Sequence, residues 1–386
     1  MRHENTVFAS LLKLIPRATF NALVKKHGMD VGVRGLTTRA QFCAMLFAQL
    51  SGAVSLRDLV TSLQSHKPLL YHAGIKDEVH RSTLADANRD RSHAFFDDLF
   101  TALLAELPCG LPRNMRQTVR LIDSTSLRLS ALSSGWARFS KGVFGAKLHV
   151  VYDPNEDRPV YFVTTPANVN DITPAKTIAI EPEATYVFDL GYYDFAWWAA
   201  LDAQGCRIVT RFKSNTPLSV AAESPVAKNQ DFILSDRIGH LPERLAYARK
   251  NPLQDPVREI RIRIDTGKIL RLFTNDLDAP AQEIADLYKA RWQIELFFRW
   301  IKQTLKIRHF LGTSENAVRI QVAVALIAFL LLRAAQKLHR LAVSPLTFAR
   351  LVRTALIQRR PIARLLQPPA GRPQSQNQML MDFAIC

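Results

Sequence analysis

Apolar positions in the first 115 residues recur at helical spacing. Thr37 or Thr38 can cap a helix carrying Phe42, Met45, Leu46 and Leu50, with Gly52 as its stop. Ser55, with Asp58 three residues on, is a capping-box pattern ahead of Leu56, Leu59, Val60 and Leu63. Thr83 and Asp86 repeat the device. Phe95, Phe96, Leu99, Phe100, Leu103 and Leu107 predict a longer helix that ends at Pro108. The breaker-rich run from Leu107 to Arg116 predicts a boundary, so residues 1–115 read as a helical N-terminal domain.

Beyond that boundary the pattern changes. Thr118–Leu129, Ala146–Tyr152, Val160–Thr164, Ala184–Leu190 and Arg207–Lys213 read as strands. Helices are predicted over Asp171–Ile180 and over Asp194–Gln204, the second stopped by Gly205. Three strands, a helix, a strand, a helix and a strand imply a mixed α/β sheet with helices packed on it. Residues 214–256 carry little periodicity. Val257–Ile264 and Lys268–Thr274 then flank an Asp265–Thr266–Gly267 turn, which predicts a hairpin with Arg261 and Arg263 on one face. A single long helix is predicted from Ala281 to about Arg308, and an apolar one over Val318–Leu332. The uncharged run between Arg319 and Arg333 is shorter than the roughly 20 apolar residues a membrane span needs, so a buried helix and no membrane association are expected.

Charge narrows the partner. With 51 Lys+Arg against 34 Asp+Glu the net charge is +17, which favours a polyanion, nucleic acid first. Residues 331–386 hold nine basic side chains and one acidic, so a basic helical C-terminal region is expected, with a flexible tail around QPPAGRPQSQNQ. Cys43, Cys109, Cys206 and Cys386 form no CxxC pair, and the N-terminus has no convincing signal sequence. Both features suit a cytoplasmic protein. His72, His80, His93 and His149 show no zinc spacing. Ser124 and Thr125 look like nucleophiles, but no histidine is distinguished as their base.

Two carboxylates stand out because they interrupt apolar strands: Asp123 in LIDSTSL and Asp189 in TYVFDLGYYD. A buried acid costs several kcal/mol unless it is paired, protonated or bound to a cation. On the helix after Ala281, Tyr288, Arg291, Glu295 and Lys302 fall within a stripe about 60° wide, at about 100° per residue. Leu287, Ile294, Phe297, Phe298, Ile301 and Leu305 take much of the remaining surface. Such a stripe suits a reaction cleft as well as a solvent-facing ion pair.

Asp123, Asp189 and Tyr288-x2-Arg291-x3-Glu295-x6-Lys302 together resemble the DDE-type transposases of bacterial insertion sequences, in the branch with the Y-R-E-K signature. The GAKLHVVYD strand and the HRSTLADANRDR segment are similar to this group as well. The resemblance implies a ribonuclease H-like catalytic domain over 116–330, with a β-rich insertion at about 214–276. It also implies that the helical N-terminal domain binds DNA. Asp123, Asp189 and Glu295 would be catalytic, holding two Mg²⁺ ions for which Mn²⁺ can substitute. Tyr288, Arg291 and Lys302 would contact phosphate. The implied partners are the terminal inverted repeats of an element and its target DNA, held by a homodimer assembled on DNA in the cytoplasm, at the nucleoid. A ribonuclease H-like nuclease without strand transfer and an inactive end-binding repressor remain alternatives.

Weaker DNA contacts are expected from Arg261, Arg263 and Lys147, and Lys141 could reach phosphate as well. Arg81, Arg89 and Arg91 flank a short helix that could read the inverted repeats, although arginines on such a helix are more often solvated. Residues 206–280 contain no Trp, so no residue is assigned to a flipped base; Phe212, Phe232, Tyr247 and Phe273 are the aromatics there. Trp197, Trp198, Trp292 and Trp300 are expected in the core.

Overall fold

The computed structural model describes residues 5–107, 118–226, 231–244, 250–305 and 309–367. The boundary run after Leu107, Cys109, Tyr247, the helix end at 306–308, the tail from 368 and Cys386 lie outside them.

Seven helices open the chain: α1 (Val7–Leu12), α2 (Arg17–Lys26), α3 (Thr38–Ser51), α4 (Leu56–Ser65), α5 (Lys67–Leu70), α6 (Arg81–Asp90) and α7 (Ala94–Glu106). The capping logic operates at two of them. The Thr37 hydroxyl accepts from the Ala40 amide at the start of α3, and Ser55 accepts from the Asp58 amide at the start of α4. Thr83, by contrast, lies inside α6, which starts at Arg81 with no side-chain cap. Gly52 ends α3 in the left-handed region (φ 78°), and its amide bonds to the Ala48 carbonyl. Gly52→Ala is therefore expected to cost about 1 kcal/mol, because a Cβ disfavours that conformation. Denaturant unfolding reads this directly, and an unchanged midpoint would contradict it.

The sheet follows: β1 (Val119–Arg128), β2 (Arg138–Ser140), β3 (Val143–Asp153), β4 (Arg158–Pro166), α8 (Ile172–Ala175), β5 (Thr185–Phe188), α9 (Phe195–Asp202), β6 (Arg207–Arg211), β7 (Ser219–Ser224), β8 (Ile233–His240), β9 (Val257–Arg263) and β10 (Ile269–Thr274). Among the described residues these make one mixed sheet of ten strands in the order β2-β3-β1-β5-β6-β10-β9-β8-β7, with β4 also paired to β3. β1, β5 and β6 are parallel neighbours, and β3 runs antiparallel to β1. All four residues of β5 are buried, as expected of a parallel strand covered on both faces.

Several expectations need correction. The helix expected over Asp171–Ile180 is one turn, α8, because Pro174 and Pro182 restrict the backbone around it. β2 is a further short strand, and residues 214–256, which carry little periodicity, hold the strands β7 and β8, within the span expected for the β-rich insertion. β7 is exposed along nearly its whole length, so it carries no alternating apolar pattern to read.

The remaining helices are α10 (Ala281–Ala290), α11 (Trp292–Thr304), α12 (Glu315–Leu338) and α13 (Pro345–Ala355). The single helix expected from Ala281 is interrupted at Arg291. There the Arg291 amide bonds to the Tyr288 carbonyl and the Ile294 amide to the Arg291 carbonyl, a tighter i→i+3 pattern. α12 is long and apolar enough to cross a membrane, yet 89% of its apolar window is covered by the rest of the protein. It packs on α3, α6, α7 and α13, and it runs without a break across the boundary expected at 330/331. The first and last described segments join this helical layer. The Val7 and Phe8 amides bond to the Gln358 and Leu356 carbonyls, and one apolar core extends from Val7 to Leu365.

Candidate active site

Strand register brings two of the acids together. β1 and β5 are paired in parallel, with Ile122 opposite Phe188, so Asp123 in the middle of β1 and Asp189 just past the end of β5 come next in the register, side by side. Leu121 packs into the core beneath α10 and α11, while Ile122 packs into the core around α9. Alternation along the strand therefore turns Asp123 toward α11, which packs against β1. Asp189 lies one residue beyond β5 and accepts from the Gly191 amide at 2.8 Å.

α11 supplies the third acid. Arg291 sits between carboxylates, with Nη2 2.7 Å from Glu295 Oε1 and Nη1 3.4 Å from Asp123 Oδ2. The tight turn at Arg291 lets one guanidinium serve both. Tyr288 is buried one turn earlier, and its ring lies 5.7 Å from the Arg291 guanidinium carbon and 5.9 Å from that of Arg211. Burial raises the Tyr288 hydroxyl, the two arginines oppose this, and Asp189 adds to it. Lys302 is half-buried in the last turn of α11, about 10 Å along the axis from Glu295.

Asp123 sits in a strongly desolvating position. Burial pushes its carboxyl up to about 7, with Asp189 and Glu295 adding to the rise, while the Ser124 amide and Arg291 resist it. Among the described residues no three His, Cys, Asp or Glu side chains form a ready metal cage. The donor set nevertheless fits a hard divalent cation. Three carboxylates bear on one another, and the innermost is driven toward its neutral form unless positive charge approaches.

Other expected contacts fare differently. Lys147 is turned inward, bonding to Asp171 Oδ1 at 2.9 Å and the Val169 carbonyl at 3.0 Å, so its charge is spent within the protein. Arg261 pairs at 2.6 Å with the buried Glu259, which also takes Arg271. Arg263 is exposed and lines a groove of about 470 Å³ together with Phe232, Tyr288, Arg291 and Trp292. Trp292 is 51% exposed, against the expectation of a core position, whereas Trp197 and Trp198 are buried. Phe212 and Phe273 are core residues. Lys141 and Arg81 are exposed. Arg89 pairs with Asp86 and Asp90, and the half-buried Arg91 donates to Gln41 and the Leu36 carbonyl.

Two residues of this region escaped the sequence reading. Arg211 ends β6, so it closes an apolar strand much as Asp189 does, and its buried Nε has no hydrogen-bond partner among the described residues. Asp171 lies just before α8, at the start of the segment expected to be a helix, where an acid reads as an ordinary helix-start residue.

The transposase DDE domain family matches residues 114–331, more than half of the chain and the span that carries all of these acids. The chain belongs to the DDE transposase family. Over 75% of its length this transposase is 44% identical to the Sinorhizobium fredii protein y4zB, which carries a transposase name, and covers 81% of that protein. It is 28% identical, over 66% of its length and 67% of the relative, to a Geobacillus stearothermophilus protein named as a transposase for insertion sequence element IS5377. DNA transposition is its function. A domain of unknown function matches residues 3–76 of the transposase. The piggyBac transposase synaptic complex with hairpin DNA aligns at a TM-score of 0.43 and 11% identity, over 95% of this chain and 82% of that one. That likeness is too distant to carry over a site.

Proposed function

We propose that this transposase cuts the ends of its own insertion sequence and joins them to target DNA, with Asp123, Asp189 and Glu295 as the catalytic carboxylates. The convergence of these acids around Arg291 and Tyr288 carries the reading. The strand order β4-β3-β1-β5-β6, with β3 antiparallel and β5 and β6 parallel to β1, supports a ribonuclease H-like core. β7–β10 then form the β-rich insertion of the Y-R-E-K branch. Residues 1–115 form the DNA-binding helical domain, 116–330 the catalytic domain and 331–386 a basic C-terminal region.

The carboxylates would hold two Mg²⁺ ions, or Mn²⁺ in their place, which supply Lewis-acid stabilisation of charge on the phosphate. The protein's own groups do the rest. Arg291 offers a planar fork suited to bidentate phosphate binding, and Lys302 a point charge about three turns further on. Arg211 adds a second guanidinium across the Tyr288 ring. The buried Tyr288 hydroxyl stays protonated and can donate to a phosphate oxygen. Two element ends must be held together, which calls for a homodimer on DNA, acting in the cytoplasm at the nucleoid.

The test is incubation with DNA carrying the element's ends and Mg²⁺. Nicked and joined products are expected; hydrolysis without joining would replace transposase chemistry by plain nuclease chemistry. Arg291→Ala should slow cleavage by about 10²–10³-fold, the effect of removing one donor to a developing charge. Arg291→Ala cutting at the wild-type rate would remove Arg291 from this role.

A further inference from the structure

On the face of the sheet opposite α11, one side chain reaches the supports of both strand-borne acids. Asp171 Oδ1 accepts from the Ser124 hydroxyl at 3.0 Å and from Lys147 at 2.9 Å. Ser124 in turn donates its amide to Asp123 Oδ1 at 2.7 Å. The other oxygen of Asp171 lies against Gly191, whose amide holds Asp189. A Cβ built on Gly191 would sit 3.1 Å from Asp171 Oδ2 and 3.1 Å from Asp189 Oδ1. Even a methyl group there would press on both carboxylates, and one of them would have to give by a few tenths of an ångström.

The surroundings show that the arrangement is built. Lys147 and His149 stand on β3 opposite Ser126 and Ser124 of β1, and His149 Nδ1 lies 3.8 Å from Asp171 Oδ1. His149 is buried, and burial lowers its imidazole to about 4, so it is neutral and leaves Lys147 as the cation that balances Asp171. Tyr192 is 1% exposed, its hydroxyl lacks a partner of good geometry among the described residues, and it lies beside Ser124 among Asp123, Asp171 and Asp189. A purely structural ion pair would not need contact with both acid-bearing segments.

We propose that Asp171, charge-balanced by Lys147, is a positioning residue that braces Asp123 through Ser124 and Asp189 through Gly191. It rests on the reading of Asp123, Asp189 and Glu295 as the catalytic carboxylates. Lys147 is then the counter-charge of this brace rather than a phosphate contact. Residues that orient metal ligands from behind typically change metal affinity or activity by about 10–100-fold when replaced, which sets the expected size.

The test compares the full-length wild type with Asp171→Asn, Lys147→Met, their double variant and Asp123→Ala. End binding, thermal midpoint, nicking rate on end-containing DNA and the Mn²⁺ concentration giving half-maximal nicking are measured. Metal-induced thermal stabilisation is followed in parallel, as a reading independent of turnover. Asp171→Asn keeps the shape and one acceptor. It is expected to bind ends and melt as the wild type does, to nick about 10–100-fold more slowly, and to need more Mn²⁺ for both nicking and stabilisation. Because the two charges act as one unit, the double variant should be no slower than the slower single variant. Wild-type nicking and metal response in Asp171→Asn, with Asp123→Ala inactive, would overturn the brace and leave the catalytic carboxylates standing. A lowered melting point with an unchanged metal requirement would also overturn it, as the mark of a merely structural pair. An active Asp123→Ala would overturn both readings.

Discussion

Asp123→Ala, Asp189→Ala and Glu295→Ala are each expected to bring DNA cutting and joining below detection while leaving binding of element ends largely intact. Losing a single donor to a developing charge already costs about 10²–10³-fold in rate. Losing one of the carboxylates that gather divalent ions removes both activation of the attacking group and stabilisation of the leaving one. The fold should tolerate the change, which makes the prediction sharp. Asp123 carries a desolvation cost that its 3.4 Å contact with Arg291 offsets weakly, and Arg291 keeps Glu295 at 2.7 Å when Asp123 is gone. The melting temperature of Asp123→Ala should thus equal or exceed that of the wild type. Cutting activity retained in any one of the three variants, measured with wild-type end binding as the control, would remove that residue from the chemistry.

What could be read ahead of the structure follows from how locally each feature is encoded. Asp123 and Asp189 were visible because an acid in an apolar strand breaks a strong local pattern. Their adjacency is a matter of the parallel β1–β5 register, which brings Phe188 opposite Ile122. Tyr288, Arg291 and Glu295 were visible as a helical stripe, and the stripe is real even though the helix tightens at Arg291. Asp171 and Arg211 were invisible for the opposite reason. Their meaning lies in partners 47 and 24 residues away for Asp171 (Ser124 and Lys147), and in the ring of Tyr288 for Arg211. Net charge points to the right class of partner, but single charged residues are a poor guide to contacts. Lys147, Arg89, Arg91 and Arg261 all look like free cations along the chain, and each is paired or bonded within it. β7 escaped because an exposed edge strand has no face that must be apolar.

Arg258→Ala is expected to be the most damaging change outside the candidate site, costing about 3–5 kcal/mol, the penalty for removing one partner of a buried ion pair. Arg258 on β9 and Asp236 on β8 are both buried, joined by two bonds of 2.8 and 2.6 Å. Truncation would strand the Asp236 carboxylate in the sheet without a counter-charge. The same guanidinium donates at 2.5 Å to the Ala279 carbonyl, next to Pro280 at the start of α10. Since α10 leads to Tyr288 and the turn at Arg291, loosening this tie should slow cutting beyond what the stability loss alone explains. Replacing both partners by apolar residues, Arg258→Met with Asp236→Leu, leaves no orphaned charge and should recover most of the stability. Activity should recover less, because the bond to Ala279 is still missing. Denaturant midpoints of the single and double variants, set beside their nicking rates, separate the two effects. A single variant within about 1 kcal/mol of wild type would mean that water reaches Asp236, the level at which exposed ion pairs contribute. Full recovery of nicking in the double variant would mean that the tie to Ala279 does not place α10.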